Sequence, residues 1–369
     1  MSPQKIFAPA ALTALMGLAS GVHAQSLNMY GVIDITAGSF QASYQDGTAN
    51  PRATKVDGNQ MITSFFGLRG TEDLGGGLKA GFMLESFLRP DAGQSGRPAP
   101  PSTPDTFWAR AANVWLENSL GKLVVGRQGT LLFTNTLTYN PLGSAFGLSP
   151  AIRLTFLGAP NPTAARLTGN DKSDSGFSNA ISYFTPNLSG FTGAVQMQFG
   201  ESEDEDTTYA LSAQYRSGPF SVGAAWQTVE SAEAPKANFA AGQKQNFGML
   251  GVSYDAGFAR FFGQYGEFRN YGFTADDDQI DTKLFTLGAS VPITKTGTVI
   301  AAYGMSTEEA NGTGTTPDTD HTVFTLAYTH SLSKRTTAYA AYMMDKEDRD
   351  TGPRFKTGHT YVVGVRHAF

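Results

Sequence analysis

Side chains that could act as nucleophiles, general bases or metal ligands are few in this chain. Five histidines and no cysteine are present, which removes thiolate nucleophiles and thiolate metal ligands. No GxSxG, HExxH, EF-hand or P-loop pattern occurs, so the sequence predicts no catalytic centre, no metal site and no bound cofactor. Four of the histidines lie within or at the end of segments of alternating polarity: His321, His330, His359 and His367.

Charged side chains are the remaining groups that could do chemistry, and their chemistry would be electrostatic. Rings of charged side chains in a narrow, partly desolvated passage select ions by sign. Acids and bases are mixed along the chain and the formal net charge is −5, so nothing indicates a nucleic-acid partner. The charged candidates are Asp34, Arg69, Glu85, Arg110, Arg127, Arg153 and Arg166.

The first 24 residues differ in composition from the rest of the chain. They contain an early lysine, an apolar stretch over residues 6–18 and a small-residue site that ends at Ala24. This pattern predicts a secretory signal peptide at residues 1–24, with one domain over residues 25–369. After Ala24 no run of about 18 apolar residues follows, so the sequence predicts no membrane-spanning helix.

The elements that would position these charged side chains follow a repeating order of strand, short turn, strand and longer polar loop. Short turns are predicted at 72–77, 117–122, 186–191, 216–220, 255–258, 292–297 and 331–336. Between them lie alternating segments such as FTLAY, in which Phe324, Leu326 and Tyr328 share one face. Seven turns join fourteen strands, and the segments at 27–40 and 359–369 bring the number to sixteen.

An even number of strands of roughly ten residues, with short turns at one end and long loops at the other, is typical of a bacterial outer-membrane barrel. Hydrocarbon requires every backbone polar group to find an internal partner, so only a helix or a closed sheet can span it. A soluble β-sandwich is the alternative. It would need polar outward faces, whereas here one face carries Phe, Leu, Val and Tyr. We predict an all-β fold, a 16-stranded antiparallel transmembrane barrel.

One connection is much longer than the others. Residues 128–178 run for about fifty positions without sustained alternation, far beyond an ordinary loop. The first part is apolar enough to pack against a wall, and its proline and glycine residues suit a bent path. We predict that this third loop folds into the barrel and narrows it. The alternative is a surface segment outside the barrel.

Several stretches resemble the general porins of Gram-negative bacteria, especially the β-proteobacterial type. They include LNMYGVIDITAG, SFFGLRGTEDLGGGLKAGFMLE, VVGRQ, NAISYFTPNLSGF and the terminal aromatic residue. The resemblance implies a water-filled, trimeric barrel that lets small hydrophilic solutes diffuse through. In that family an arginine ladder on the wall faces acidic residues on the third loop.

Three arginines match this pattern by resemblance. Arg110 matches a wall arginine, Arg69 a basic position on the second strand, and Arg127 the junction of wall and loop. Arg110 is in phase with Val114 and Leu116, so simple alternation places it outside and a lumen position requires a bulge or twist. For each of the three, a charge at the barrel rim is the alternative.

Two departures from the family pattern concern charge. Phe65 stands where the family has an arginine, and the third loop has no Asp or Glu from Gln128 to Asn170. Asp34 and Glu85 are predicted lumen acids by alternation. Arginines with few opposing acids predict a weak preference for anions over cations. Arg153 and Arg166 leave open a substrate-specific anion channel, and an adhesin or a barrel hydrolase are further alternatives.

The final segment, YVVGVRHAF, is predicted to be the strand that closes the barrel against the first one. Tyr361, Val363, Val365 and Phe369 would face lipid, and Arg366 the lumen. By resemblance, the terminal aromatic residue also implies recognition by the outer-membrane assembly machinery. The other expected partners are membrane lipid, lipopolysaccharide, further copies of the chain in a homotrimer, and ions with small hydrophilic solutes.

Overall fold

The structure of the protein is a computed structural model that describes residues 26–97, 105–157, 175–200, 207–230, 244–271, 280–310 and 317–369. The predicted signal peptide and Arg166 lie outside the described residues. Within the described ranges, no helix combines the length and the apolar content that crossing a membrane requires.

Strands make up most of the described chain, as the alternating polarity predicts. Their bounds are β1 (Ser26–Phe40), β2 (Tyr44–Gln45), β3 (Ala53–Gly58), β4 (Phe65–Gly75), β5 (Leu78–Arg89), β6 (Gln94–Ser95), β7 (Ala111–Asn118), β8 (Gly121–Gly129), β9 (Gly176–Phe184), β10 (Phe191–Gln198), β11 (Thr208–Ser217), β12 (Phe220–Glu230), β13 (Lys244–Asp255), β14 (Arg260–Tyr271), β15 (Ile280–Pro292), β16 (Gly297–Ala310), β17 (Thr319–Ser331), β18 (Thr336–Arg349), β19 (Phe355–Lys356) and β20 (Gly358–Ala368). The helical segments are α1 (Leu131–Thr138), α2 (Pro150–Ile152) and a π-helical turn (Arg153–Leu157).

The sheet closes on itself. Sixteen strands, namely β1, β4, β5, β7 to β18 and β20, each pair antiparallel with the next, and β20 pairs with both β18 and β1. The seven predicted short turns all join consecutive strands of this barrel. The predicted 16-stranded barrel is therefore confirmed, and each of its sixteen described strands pairs with a neighbour on both sides.

Side chains alternate between an apolar outer face and a polar or small inner face. On β17, Leu326 is 44% exposed on the outer face, whereas Thr325 is fully buried inside. The strand FTLAY thus has the predicted parity, and the exposed side is the apolar one. This inversion of a soluble protein's pattern suits a wall that has hydrocarbon outside.

The terminal strand forms the seam as predicted. Val32 of β1 pairs with Ala368 of β20, and Asp34 pairs with Arg366. The N–H and carbonyl of Phe369 bond the carbonyl and N–H of Gly31 at 3.1 and 3.2 Å. The Phe369 ring lies over Gly31, where a Cβ would collide with it. The last residue therefore belongs to the wall of the barrel.

The wall beside β1 is interrupted in a way that alternation does not predict. β3 pairs with the second half of β1 and β4 with the first half, and residues 59–64 between them leave the sheet. The carboxylate of Asp34 accepts hydrogen bonds from the backbone N–H groups of Met61, at 2.7 Å, and Ile62, at 3.2 Å. The Tyr339 hydroxyl donates to it as well, at 2.6 Å.

Asp34 points inward, as predicted, but its side chain has no exposed surface. Its carboxylate is enclosed by the segment 59–64 and by Tyr339 from across the seam. A carboxylate with this many donors holds a segment in place. Asp34 is therefore a structural anchor in this barrel.

We expect Asp34→Ala to destabilise the barrel by on the order of 3 kcal/mol, because buried donors left without an acceptor cost about 1–3 kcal/mol each. Asp34→Asn keeps one acceptor oxygen, so its stability should lie between those of the wild type and of Asp34→Ala. Urea unfolding followed by gel mobility measures the effect. Asp348→Ala is the control, since the Asp348–Lys346 ion pair is about half exposed. Equal stability of Asp34→Ala and Asp348→Ala would contradict the anchoring role.

Candidate functional site

The third loop enters the barrel as the helix α1. Thr130 caps it, since its hydroxyl accepts a hydrogen bond from the Phe133 N–H at 3.1 Å. Leu132 is fully buried in a cluster with Phe247 and Met249 of the inner wall. Apolar residues of the loop thus cover an apolar patch on β12 and β13, which confirms that the loop folds inward.

Two glycines provide a flat surface for the residue that ends this helix. Gly223 and Gly251 pair across β12 and β13, and a Cβ on either one would collide with the Tyr139 ring. The Tyr139 hydroxyl lies 3.0 Å from the Ser221 hydroxyl, and the Gln214 side-chain amide donates to it at 3.0 Å. Ring packing and hydrogen bonds therefore fix the loop at one point of the wall.

The second half of the described loop packs farther around the barrel. Leu142, Ala145 and Leu148 form a buried cluster with Met61 and with Ala327 of the wall. The Thr325 hydroxyl donates to the Leu148 carbonyl at 2.6 Å. The tip of the loop thus lies between the segment 59–64 and the inner surface of β16 to β18.

Arg153, a candidate from the sequence, forms part of this packing. Its Nη2 lies 2.5 Å from Oδ2 of Asp345, a carboxylate that is only 3% exposed. The ion pair joins the π-helical turn to β18 and partly neutralises Arg153. We therefore place Arg153 among the residues that hold the loop.

Arg110 faces the lumen despite its phase. β7 begins at Ala111, so Arg110 lies just before the strand, and its N–H donates to the Glu85 carbonyl at 3.2 Å. Its guanidinium forms an ion pair with the Glu85 carboxylate and lies 4.0 Å from the centre of the Phe65 ring. Phe65, where the sequence resemblance led us to expect an arginine, thus supports a neighbouring arginine through a cation–π contact.

Arg69 is exposed on the inner face of β4. Its guanidinium lies 4.6 Å from the centre of the Tyr30 ring, and the Tyr30 hydroxyl donates to Glu85 at 2.5 Å. Across the described part of the chain, no carboxylate lies within 4.0 Å of Arg69. Glu85, which is nearly buried, therefore balances Arg110 while Arg69 adds a positive charge.

Arg127 lies in a bulge where the pairing of β8 with β9 shifts between Gly126 and Gln128. Its Nη1 donates to the Ser178 hydroxyl at 2.8 Å, and its Nε donates to the Ala109 carbonyl. These bonds hold its side chain beside Arg110 at the mouth of the loop. Arg127 thus occupies the predicted junction of wall and loop.

Sequence reasoning missed Arg97. Its guanidinium forms a forked pair with Asp105, with nitrogen–oxygen distances of 2.7 and 3.0 Å, and lies 6.0 Å from the centre of the Phe87 ring. Arg97 belongs to the loop between β6 and β7, where side chains follow no alternation. In the sequence, the positive charge of Arg97 is the only feature that could have marked it as a candidate.

Arg97, Arg110 and Arg127 line a cleft of about 270 Å³ between the wall and the third loop. Glu85 lies beside these arginines, and the third loop contributes the half-buried Phe133, Leu137 and Phe146 together with two hydroxyl residues, Thr134 and Ser144. The described loop residues 128–157 contain no Asp or Glu. The cleft therefore has three arginines and one carboxylate on one side and mainly apolar side chains on the other.

Comparison with known proteins gives consistent matches. A family model described as "Gram-negative porin" matches residues 11–350. Outer membrane porin protein 32 of Delftia acidovorans is 29% identical over 309 residues, which cover 81% of this chain and 80% of that protein. An outer membrane porin protein of Bordetella pertussis is 26% identical over 349 residues, with 82% and 85% covered.

The fold comparison agrees with the sequence matches. The solved structure of an anion-selective porin from Comamonas acidovorans superposes with a TM-score of 0.74 at 26% identity. The match covers 94% of this chain and 100% of that one.

Replacing a glycine under the Tyr139 ring should change the size of the pore. Gly251→Val should push the Tyr139 ring off the wall and the loop toward the lumen, which lowers single-channel conductance. Overpacking of this kind costs about 1–3 kcal/mol. Gly248→Val is the matched control on the same strand, because a Cβ there meets no atom within 4 Å. Unchanged conductance in Gly251→Val would show that the loop is held elsewhere.

Proposed function

The chain belongs to the Gram-negative porin family, and from this premise we propose that its outer-membrane channel is narrowed by residues 128–178 and prefers anions weakly. The observation that carries the proposal is the imbalance of fixed charge around the cleft. Glu85 and Asp105 each pair with one arginine, Arg110 and Arg97, whereas Arg69 has no carboxylate within 4.0 Å among the described residues. Fixed positive charge in a narrow passage raises the local concentration of anions.

The proposed pore-lining set is smaller than the sequence candidates. Arg69, Arg110 and Arg127 line the passage together with Glu85, whereas Asp34 and Arg153 hold the segments that shape it. The passage is water-filled and carries small hydrophilic solutes by diffusion. A similar protein from Comamonas acidovorans is described as anion-selective, which supports the same sign here.

Reversal potentials of single channels under a KCl gradient test the sign. The wild type should favour chloride weakly, and Arg110→Ala should move the potential toward cations, because Glu85 then keeps its charge without its partner. Glu85→Gln should move it toward anions, and the double variant should lie near the wild type. Lys334→Gln, in the exposed turn between β17 and β18, is the control that should leave the potential unchanged. A clear cation preference of the wild type would overturn the proposal.

The proposed assembly is a homotrimer in outer-membrane lipid, on the basis of the family resemblance. Lipopolysaccharide would contact the outer loops, and the assembly machinery would read the terminal strand with Phe369. Support for the last point is that the Phe369 side chain is partly exposed at the end of the seam, while its backbone is already paired with Gly31.

Phe369→Ala separates assembly from folding, because it keeps both backbone hydrogen bonds with Gly31 and removes only the ring. We expect the amount of assembled barrel in cells to fall several-fold and the yield of refolding in detergent to change little. Tyr361→Ala, which is also exposed on the outer face of β20, is the matched control. Equal losses of Phe369→Ala in cells and in detergent would refute a signalling role.

A further inference from the structure

The two sides of the cleft differ in chemistry. Arg110 contributes a guanidinium that is 33% exposed, with Nη1 engaged by Glu85. Among the described residues, its Nη2 and Nε have no hydrogen-bond partner. The guanidinium carbon lies 4.0 Å from the centre of the Phe65 ring, and this contact and the Glu85 ion pair hold the group from two sides.

The loop side of the cleft is mainly apolar, and its rings are packed against the wall cluster. Phe133 packs edge-on against Phe156 with ring centres 5.2 Å apart, and Phe156 is buried against the wall. Leu137 and Phe146 pack on the same buried cluster. All three line the cleft while remaining partly exposed, so they present fixed apolar surface to whatever enters it.

A chloride or sulfate ion would use only the arginine side of this cleft. A planar solute with a carboxylate at one end and an apolar ring at the other would use both sides. Its carboxylate would accept from the Arg110 guanidinium in the field of Arg127, and its ring would lie against Leu137 and the neighbouring phenylalanines. Both contacts are favourable, since arginine binds carboxylates in its own plane and buried apolar area adds affinity.

We propose that this cleft is a weak binding site for amphipathic monocarboxylates, of which benzoate is the simplest aromatic example. The inference rests on the proposed anion channel and adds a solute class to it. Binding takes place on the path of the solute, so the residence must be short for passage to continue. The apolar ring should lower the half-blocking concentration about tenfold relative to acetate.

Block of the chloride current tests the inference on the intact protein in planar bilayers. Three probes are compared: sodium benzoate, sodium acetate, which lacks the ring, and benzamide, which keeps the ring and lacks the charge. Benzoate should reduce the current with saturation at a concentration about tenfold below acetate, and benzamide should have little effect. Equal block by benzoate and acetate, or by benzoate and benzamide, would overturn the inference.

Variants assign the block to the cleft. Leu137→Thr removes apolar contact and should weaken benzoate block several-fold relative to its own acetate block. Arg110→Lys keeps the charge but loses the planar donor pair, and it should weaken block by both carboxylates. Thr138→Ala, which changes the next residue of α1 and lies outside the cleft lining, is the control that should match the wild type. If Leu137→Thr showed the wild-type ratio of benzoate block to acetate block, the assignment of the block to this cleft would be overturned.

The test of this inference and the test of the proposed channel can fail independently. Absence of chloride conductance, or a cation-selective reversal potential, would defeat the channel proposal itself. An anion-selective channel that treats benzoate as it treats acetate would leave the channel proposal intact and defeat only this inference. The comparison of the three probes uses the wild type alone, so it stands even where a variant does not fold.

Discussion

Backbone hydrogen bonding in hydrocarbon is the constraint on which the rest of this structure depends. An unpaired N–H or carbonyl inside a bilayer costs several kcal/mol, so the sheet must close. Closure brings β20 against β1 and makes Phe369 and Gly31 wall residues. It also leaves the lumen as the only place within the barrel where water, charges and a functional site can lie.

The lumen of this protein is only partly polar, because the third loop brings apolar residues inside. Leu132 meets Phe247, and Leu148 meets Ala327, so two patches of the inner wall become hydrophobic cores in the ordinary sense. Packing of this kind holds the loop more rigidly than surface charges would, since exposed ion pairs contribute little. The ion pair between Arg153 and the buried Asp345 fixes the position of the π-helical turn, where the described part of the loop ends.

Strands and short turns could be predicted from the sequence, and the site could be predicted only in part. Side chains in a strand alternate strictly, so residues such as Leu326 and Thr325 reveal their faces. Arg110 and Arg127 defeat this rule, because one precedes its strand and the other lies in a bulge. Sequence reasoning found both only through the resemblance.

Asp34 and Arg97 show a second limit of sequence reasoning. The burial of Asp34 depends on residues 59–64 leaving the wall, and the pair of Arg97 with Asp105 depends on loop geometry alone. Contacts made by irregular backbone are three-dimensional facts that periodicity cannot reveal.

Charge in the described part of the passage is one-sided. Glu85 does not cancel the arginines, because one carboxylate is shared between Arg110 and the Tyr30 hydroxyl, and Arg69 has no acid within ion-pair distance in the described ranges. The described part of the third loop, residues 128–157, offers rings and hydroxyls and contains no Asp or Glu. On the anion proposal, an anion is attracted by the arginines of the wall and meets no carboxylate on loop residues 128–157.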